Sequence, residues 1–155
     1  MKKILKIIVA ILFVAFIAIQ FIIRSDFTNP PIVQGQTLEE VTPVPENVQT
    51  LLKKSCNDCH TNTTVYPWYS KIQPSAWFMK GHIDEGRRKL NFSDWKTYDA
   101  PKQRRKLAEV CEEVQEKAMP LPSYLWIHWD AKLSDAEIKT ICDWTEAARA
   151  KIPEE

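Results

Sequence analysis

The sequence predicts an all-α chain. Apolar residues recur at i, i+3, i+4 and i+7 in several separate stretches, the spacing of one helix face. Ser134-Asp135-Ala136-Glu137 reads as a capping box at the start of one of them. No stretch carries the sustained apolar–polar alternation of a half-buried strand.

The first element is an apolar run from Ile4 to Ile23, interrupted only by Lys6 and Gln20. At about 1.5 Å per residue it spans roughly 30 Å, the hydrocarbon thickness of a bilayer. Lys2, Lys3 and Lys6 lie at its N-terminal end, so the start of the chain is expected in the cytoplasm and the rest outside. Residues 1–24 therefore read as a single-pass anchor in the cytoplasmic (inner) membrane, with the remainder on the periplasmic side. A cleaved signal peptide is the competing reading. Its apolar region is usually shorter, and the small-x-small stretch Ala15-Phe16-Ile17-Ala18 lies inside the run rather than after it.

Residues 25–45 read as a linker, because Pro30, Pro31, Pro43 and Pro45 interrupt any helix. Residues 46–155 then form one helical domain. Pro45-Glu46 opens its first helix, with Val48, Leu51, Leu52 and Ser55 on one face. That helix runs directly into Cys56. From Thr61 to Pro74 the chain is irregular and aromatic. Ser75 is placed as the cap of a second helix reaching about Leu90, which Gly81 and Gly86 weaken. A third runs from near Pro101 to about Lys117 on a stripe of Leu107, Val110, Cys111 and Val114. A loop with Met119, Pro120 and Pro122 precedes the last helix, whose inner face is Ile138, Ile141, Cys142, Thr145 and Ala148.

Charge narrows the partners. Of 21 basic residues, the three anchor lysines leave 18 against 20 acidic ones, so the exported part carries about −2. There is no basic stripe, and no nucleic-acid partner is expected.

Cys56-Asn57-Asp58-Cys59-His60 is the motif that carries chemistry. This is C-x-x-C-H, the attachment signature of c-type haem. Two thiols three positions apart can each hold one vinyl group of the same haem, and the adjacent histidine supplies the proximal nitrogen. A thioredoxin-like pair would need a strand-to-helix setting and leaves His60 unexplained. A zinc site would have to recruit Cys111 and Cys142, which are not closely spaced. Those two cysteines lie on apolar stripes, either as a disulfide or as two separate thiols. The iron ligands are thus His60 and, opposite it, Met119 in its Met-Pro loop, with His82 and His128 as alternatives and Met79 more remote. Arg87 and Arg88 are candidate partners of the propionates. Trp68, Tyr69, Trp77 and Tyr124 are candidate donors or pocket walls.

Other residues carry a likeness. Tyr66-Pro67-Trp68-Tyr69-Ser70, Gly86-Arg87, Leu90-Asn91-Phe92-Ser93, Met119-Pro120, His128 and Leu133-Ser134 accompany the motif. With these the chain resembles the bacterial haem-binding domain family, small membrane-anchored monohaem proteins of the cytochrome c superfamily. The resemblance covers nearly everything after the anchor. It implies one covalently attached haem c and a cytochrome c-like helical fold, and little about a reaction. The expected function is one-electron transfer as a periplasmic monohaem cytochrome, with envelope redox proteins as partners. The alternative is a haem enzyme or a gas or redox sensor with an open distal site.

Overall fold

In a computed structural model of the chain, residues 1–22 and 26–153 are described. The all-α expectation holds: the described residues contain helices and turns and no strand. The order is α1 (Lys2–Ile22), α2 (Leu38–Val41), α3 (Glu46–Ser55), α4 (Asn57–His60), α5 (Ser75–Lys89), α6 (Ala100–Gln115), α7 (Pro122–Leu125) and α8 (Asp135–Arg149). Short 3-10 turns at Trp68–Lys71, Phe92–Thr97 and Trp129–Ala131 join them. The helix α1 is long and apolar enough to cross a membrane. The end of the expected anchor, with Ile23, lies outside the described residues.

The core of the domain forms where α6 packs along α8, with α3 crossing α8 beside them. Leu52, Leu107, Ile141, Phe92 and Trp95 are almost wholly withdrawn from water. Burial of such side chains contributes about 1.5–3 kcal/mol each and dominates the fold. A disulfide between Cys111 and Cys142 staples α6 to α8. This decides between the two states open for these cysteines, because the apolar stripes that carry them face one another.

The proline-containing stretch departs from the expected linker. A four-residue helix, α2, forms within it, and Leu38 is fully buried. Gly35, in the left-handed region at φ 77°, turns the chain into it. The Glu40 carboxylate accepts from the Gly35 and Thr37 backbone N–H groups, and these bonds hold its pKa below the usual value. The buried indole of Trp95 donates to Thr42, and that of Trp144 donates to the Pro43 carbonyl. Prolines forbid a long helix, but they do not stop an extended segment from packing.

Two helix ends also differ from expectation. Pro74 caps α5, and Ser75 is its first residue; its hydroxyl donates back to the Tyr69 and Ile72 carbonyls. The helix α6 begins at Ala100 with the Asp99 side chain as its cap, 2.9 Å from the Lys102 N–H. It ends at Gln115 because Lys117 adopts the left-handed region at φ 57°. The Ala118 and Met119 N–H groups then both donate to the Glu113 carbonyl. That terminating turn delivers Met119 to the site.

The capping box at Ser134 and Glu137 forms as expected. Glu137 also pairs with Lys54 of α3, which ties the helix before the motif to the start of α8. The Lys54 bond, helped by the Ser134 N–H, holds the Glu137 carboxyl at about 2, below its ordinary 4.5. A depressed carboxyl pKa contributes stability above the unfolded value and loses it on acidification. Denaturant titrations across pH 4.5 to 2 are therefore expected to show a fall in stability that is reduced in Glu137→Gln. An identical acid dependence in that variant would refute the linkage.

Candidate functional site

Cys56, Cys59 and His60 come together because the motif is a single helical turn. Cys56 closes α3, its N–H donating to the Leu52 carbonyl, and its own carbonyl accepts from the N–H groups of Cys59 and His60. Residues three and four apart on such a turn share a side. Both thiols are free, whereas the other two cysteines are paired. Burial pushes Cys56 up to about 12 and Cys59 up to about 11, the neighbouring charge of Cys59 or Asp58 adding to the effect. Both therefore stay protonated at neutral pH.

The His60 ring is fixed by Leu90, the residue that ends α5. Its Nδ1 lies 2.9 Å from the Leu90 carbonyl, which can only accept, so Nδ1 carries the hydrogen and Nε2 keeps its lone pair. Burial lowers the His60 pKa, which keeps the ring neutral. A neutral imidazole with one nitrogen bonded to a carbonyl is the form that ligates a metal. The close approach of α5 depends on Gly86. A Cβ there would lie 2.7 Å from the Cys59 carbonyl oxygen and 3.1 Å from its Cβ. Gly86, which weakens the helix when read alone, is what lets α5 lie against the motif.

A cleft of about 560 Å³ opens beside these residues. That is within the range of about 300–1,000 Å³ for small-molecule and cofactor sites. Leu90, Phe92, Val110, Val114 and Leu121 supply its apolar wall. Cys56, Cys59, His60 and Met119 border the same space. Charged side chains gather at its rim: Glu85, Lys89, Lys106, Glu109 and Glu113.

The haem-binding domain family matches residues 14–147. The chain belongs to that family. Comparisons with curated proteins and with solved structures return no match. As a haem-binding domain, the chain takes haem as its cofactor, and the cleft fits that group. An apolar wall suits a macrocycle, a neutral histidine with a free lone pair suits its iron, and lysines at the rim suit its propionates. Two of the four thiols that a zinc site would use are consumed in the disulfide. Among the described residues no group of three or more His, Cys, Asp or Glu has the arrangement to hold a bare metal ion.

The haem-binding domain sorts the candidates named from its sequence. Met119 and His82 both border the cleft. The His82 Nδ1 bonds the Phe78 carbonyl, 2.7 Å away, so its Nε2 also keeps a lone pair. His128 lies outside the cleft lining: its Nε2 meets the Tyr69 hydroxyl at 2.7 Å and its ring stacks on Tyr124 at 4.2 Å. Trp68 and Tyr69 are likewise outside the lining, and Trp68 is 76% exposed. The turn that carries them packs on α5, where the Ser75 hydroxyl bonds the Tyr69 carbonyl.

Arg87 is also turned elsewhere. Its guanidinium donates to the Thr61 carbonyl (2.8 Å), to Asn29 Oδ1 (2.7 Å) and to Thr64 Oγ1 (2.9 Å). It pins the loop after the motif to the stretch after the anchor. Arg88 is exposed and paired with Glu85 on its own helix. The cations that line the cleft are Lys89 and Lys106, each beside a carboxylate of its own helix (Glu85 and Glu109), Lys106 being only 12% exposed along its side chain. Lys106 carries no motif of its own in the sequence. The signal was present in Lys106, Val110 and Glu113, a second i, i+4, i+7 face of α6 that faces the cleft beside the core stripe. Tyr124, one of the proposed donors, does border the cleft and donates to Asp58 Oδ2 at 2.7 Å, inside the motif.

Proposed function

We propose that this haem-binding domain is a membrane-anchored monohaem c-type cytochrome that passes single electrons on the outer face of the cytoplasmic membrane. The observation that carries the reading is the single helical turn presenting two free thiols and an oriented, neutral His60 to one apolar cleft. Cys56 and Cys59 would hold the haem through thioethers, and His60 Nε2 would ligate its iron. Met119 would supply a second iron ligand, since α6 ends in a turn that sets it at the cleft and against the core. Haem bound there supplies a one-electron iron couple. The chain does the rest: the Leu90 carbonyl holds the His60 tautomer, the apolar wall would exclude water, and Lys106 and Lys89 would offset propionate charge. A thioether opposite imidazole raises the reduction potential relative to two imidazoles.

α1 would keep the domain at the membrane, with Lys2, Lys3 and Lys6 in the cytoplasm. Its partners would be redox proteins of the envelope, docking over a small area as transient electron-transfer pairs do.

Spectra of the full chain, expressed in a host that attaches haem c, test the reading. A low-spin, six-coordinate iron whose ferrous form binds carbon monoxide poorly is expected. Rapid carbon monoxide binding would instead favour a sensor or enzyme with an open distal side. Met119→Ala is expected to lower the potential and open the iron to carbon monoxide, while His82→Ala leaves both unchanged. The reverse pattern would make His82 the ligand, for which its free Nε2 at the cleft provides.

A further inference from the structure

We infer that the domain lies on the bilayer surface through an aromatic patch, and that its occupant is the lipid interface itself. Trp68, Trp126, Ile127 and Trp129 are 76%, 80%, 61% and 79% exposed. Leaving that much apolar area in water is costly, and such patches mark interaction surfaces. The four come from two distant segments that are tied at one point. The Trp68 ring meets Tyr69 edge-on at 5.8 Å, and the Tyr69 hydroxyl bonds His128, which sits between Ile127 and Trp129. The patch therefore has a built scaffold.

Its place relative to α1 selects the lipid surface. Gln20 lies in the last turn of α1, and its amide bonds Gln73 twice: it donates to the Gln73 carbonyl (3.2 Å) and accepts from the Gln73 N–H (2.9 Å). Gln73 directly follows the turn Trp68–Lys71 and the residue after it, so the patch begins next to the point where the helix leaves the membrane. Tryptophan is the residue that concentrates at this depth, its ring apolar and its N–H wet. Exposed Lys71 and Lys132 flank the patch and suit phosphate headgroups, with exposed Asp130 the one carboxylate in the turn that carries Trp129. Docking in this pose would hold the domain in one orientation and leave the cleft rim on α5 and α6 available to a partner.

This inference rests on α1 spanning the membrane, and one experiment separates the two claims. The full chain is placed in phosphatidylcholine–phosphatidylglycerol vesicles containing a diazirine-bearing phosphatidylcholine, irradiated, and mapped by peptide mass. Label is expected on α1 and on the peptides around Trp68 and Trp126–Trp129. With Trp68→Ser, Trp126→Ser and Trp129→Ser combined, label on the patch peptides is expected to fall about tenfold while label on α1 stays, because each interfacial aromatic adds to the partitioning. Changing the same three to Tyr is expected to restore it, and an unchanged haem spectrum checks that the fold survives. Label confined to α1 in the unaltered chain would overturn the docking. Label absent from α1 as well would overturn the anchor. A patch left unlabelled by lipid but cross-linked to protein in native membranes would replace the lipid with a protein partner.

Discussion

A chain carrying Cys56→Ala and Cys59→Ala together is expected to lose all covalently held haem. After denaturing electrophoresis no haem stain should remain at the mass of the protein, whereas the unaltered chain keeps it. Neither of the other two cysteines can substitute, because Cys111 and Cys142 are joined to each other between α6 and α8. Each single substitution leaves one thioether and an intermediate result. The apolar wall and His60 are untouched in the double variant, so weak haem binding that is lost on denaturation is compatible with the reading. Haem that survives denaturation in the double variant would refute attachment through this motif.

The second large effect is expected on α5, where two glycines one and a half turns apart should respond with opposite sign. Gly81 has nothing within 4 Å of a built Cβ, so Gly81→Ala trades backbone entropy for helix propensity and gains about 0.5–1 kcal/mol. Gly86→Ala makes the same gain but forces a methyl to 2.7 Å from the Cys59 carbonyl oxygen. That neighbour is backbone of the motif and cannot swing aside. Overpacking of this kind costs about 1–3 kcal/mol, so the net effect is destabilising, and Gly86→Val is worse. Thermal unfolding reads both, at roughly 3–6 °C per kcal/mol for a domain of this size. The Leu90 N–H donates to the Gly86 carbonyl, and the Leu90 carbonyl holds His60. Gly86→Val should therefore also alter the axial-ligand bands of the haem spectrum, which Gly81→Ala should leave alone. A rise in melting temperature for Gly86→Ala would show that α5 does not press on the motif.

These two glycines mark the limit of what a sequence displays. By helix propensity alone Gly81 and Gly86 are equivalent, each a weak point in a helix. They differ only in what faces them, which belongs to another segment. Arg87 is the same kind of case. Beside a haem motif it reads as a propionate partner, yet loop oxygens of Thr61, Thr64 and Asn29 lie within its reach and take its donors. Lys106, on a helix far along the chain, takes the place at the rim. The proline-rich stretch misled in another way: prolines report on helix content, and the burial of Leu38 depends on the Phe92–Thr97 turn it packs against.

What the sequence determined by itself is local in origin. The membrane-length helix is a matter of composition over consecutive residues. The helices follow from periodicity and caps, as Ser134 and Glu137 illustrate. The thiols and the histidine of the motif lie within five consecutive positions, so one helical turn presents them whatever surrounds it. The tertiary structure decided everything that needs two distant segments to meet. It paired Cys111 with Cys142, set Leu90 against His60, chose Met119 and His82 over His128 for the cleft, and joined Tyr69 to His128 within the Trp126–Trp129 loop. Such meetings are fixed by packing of the whole chain, in which no residue's own type names its neighbour.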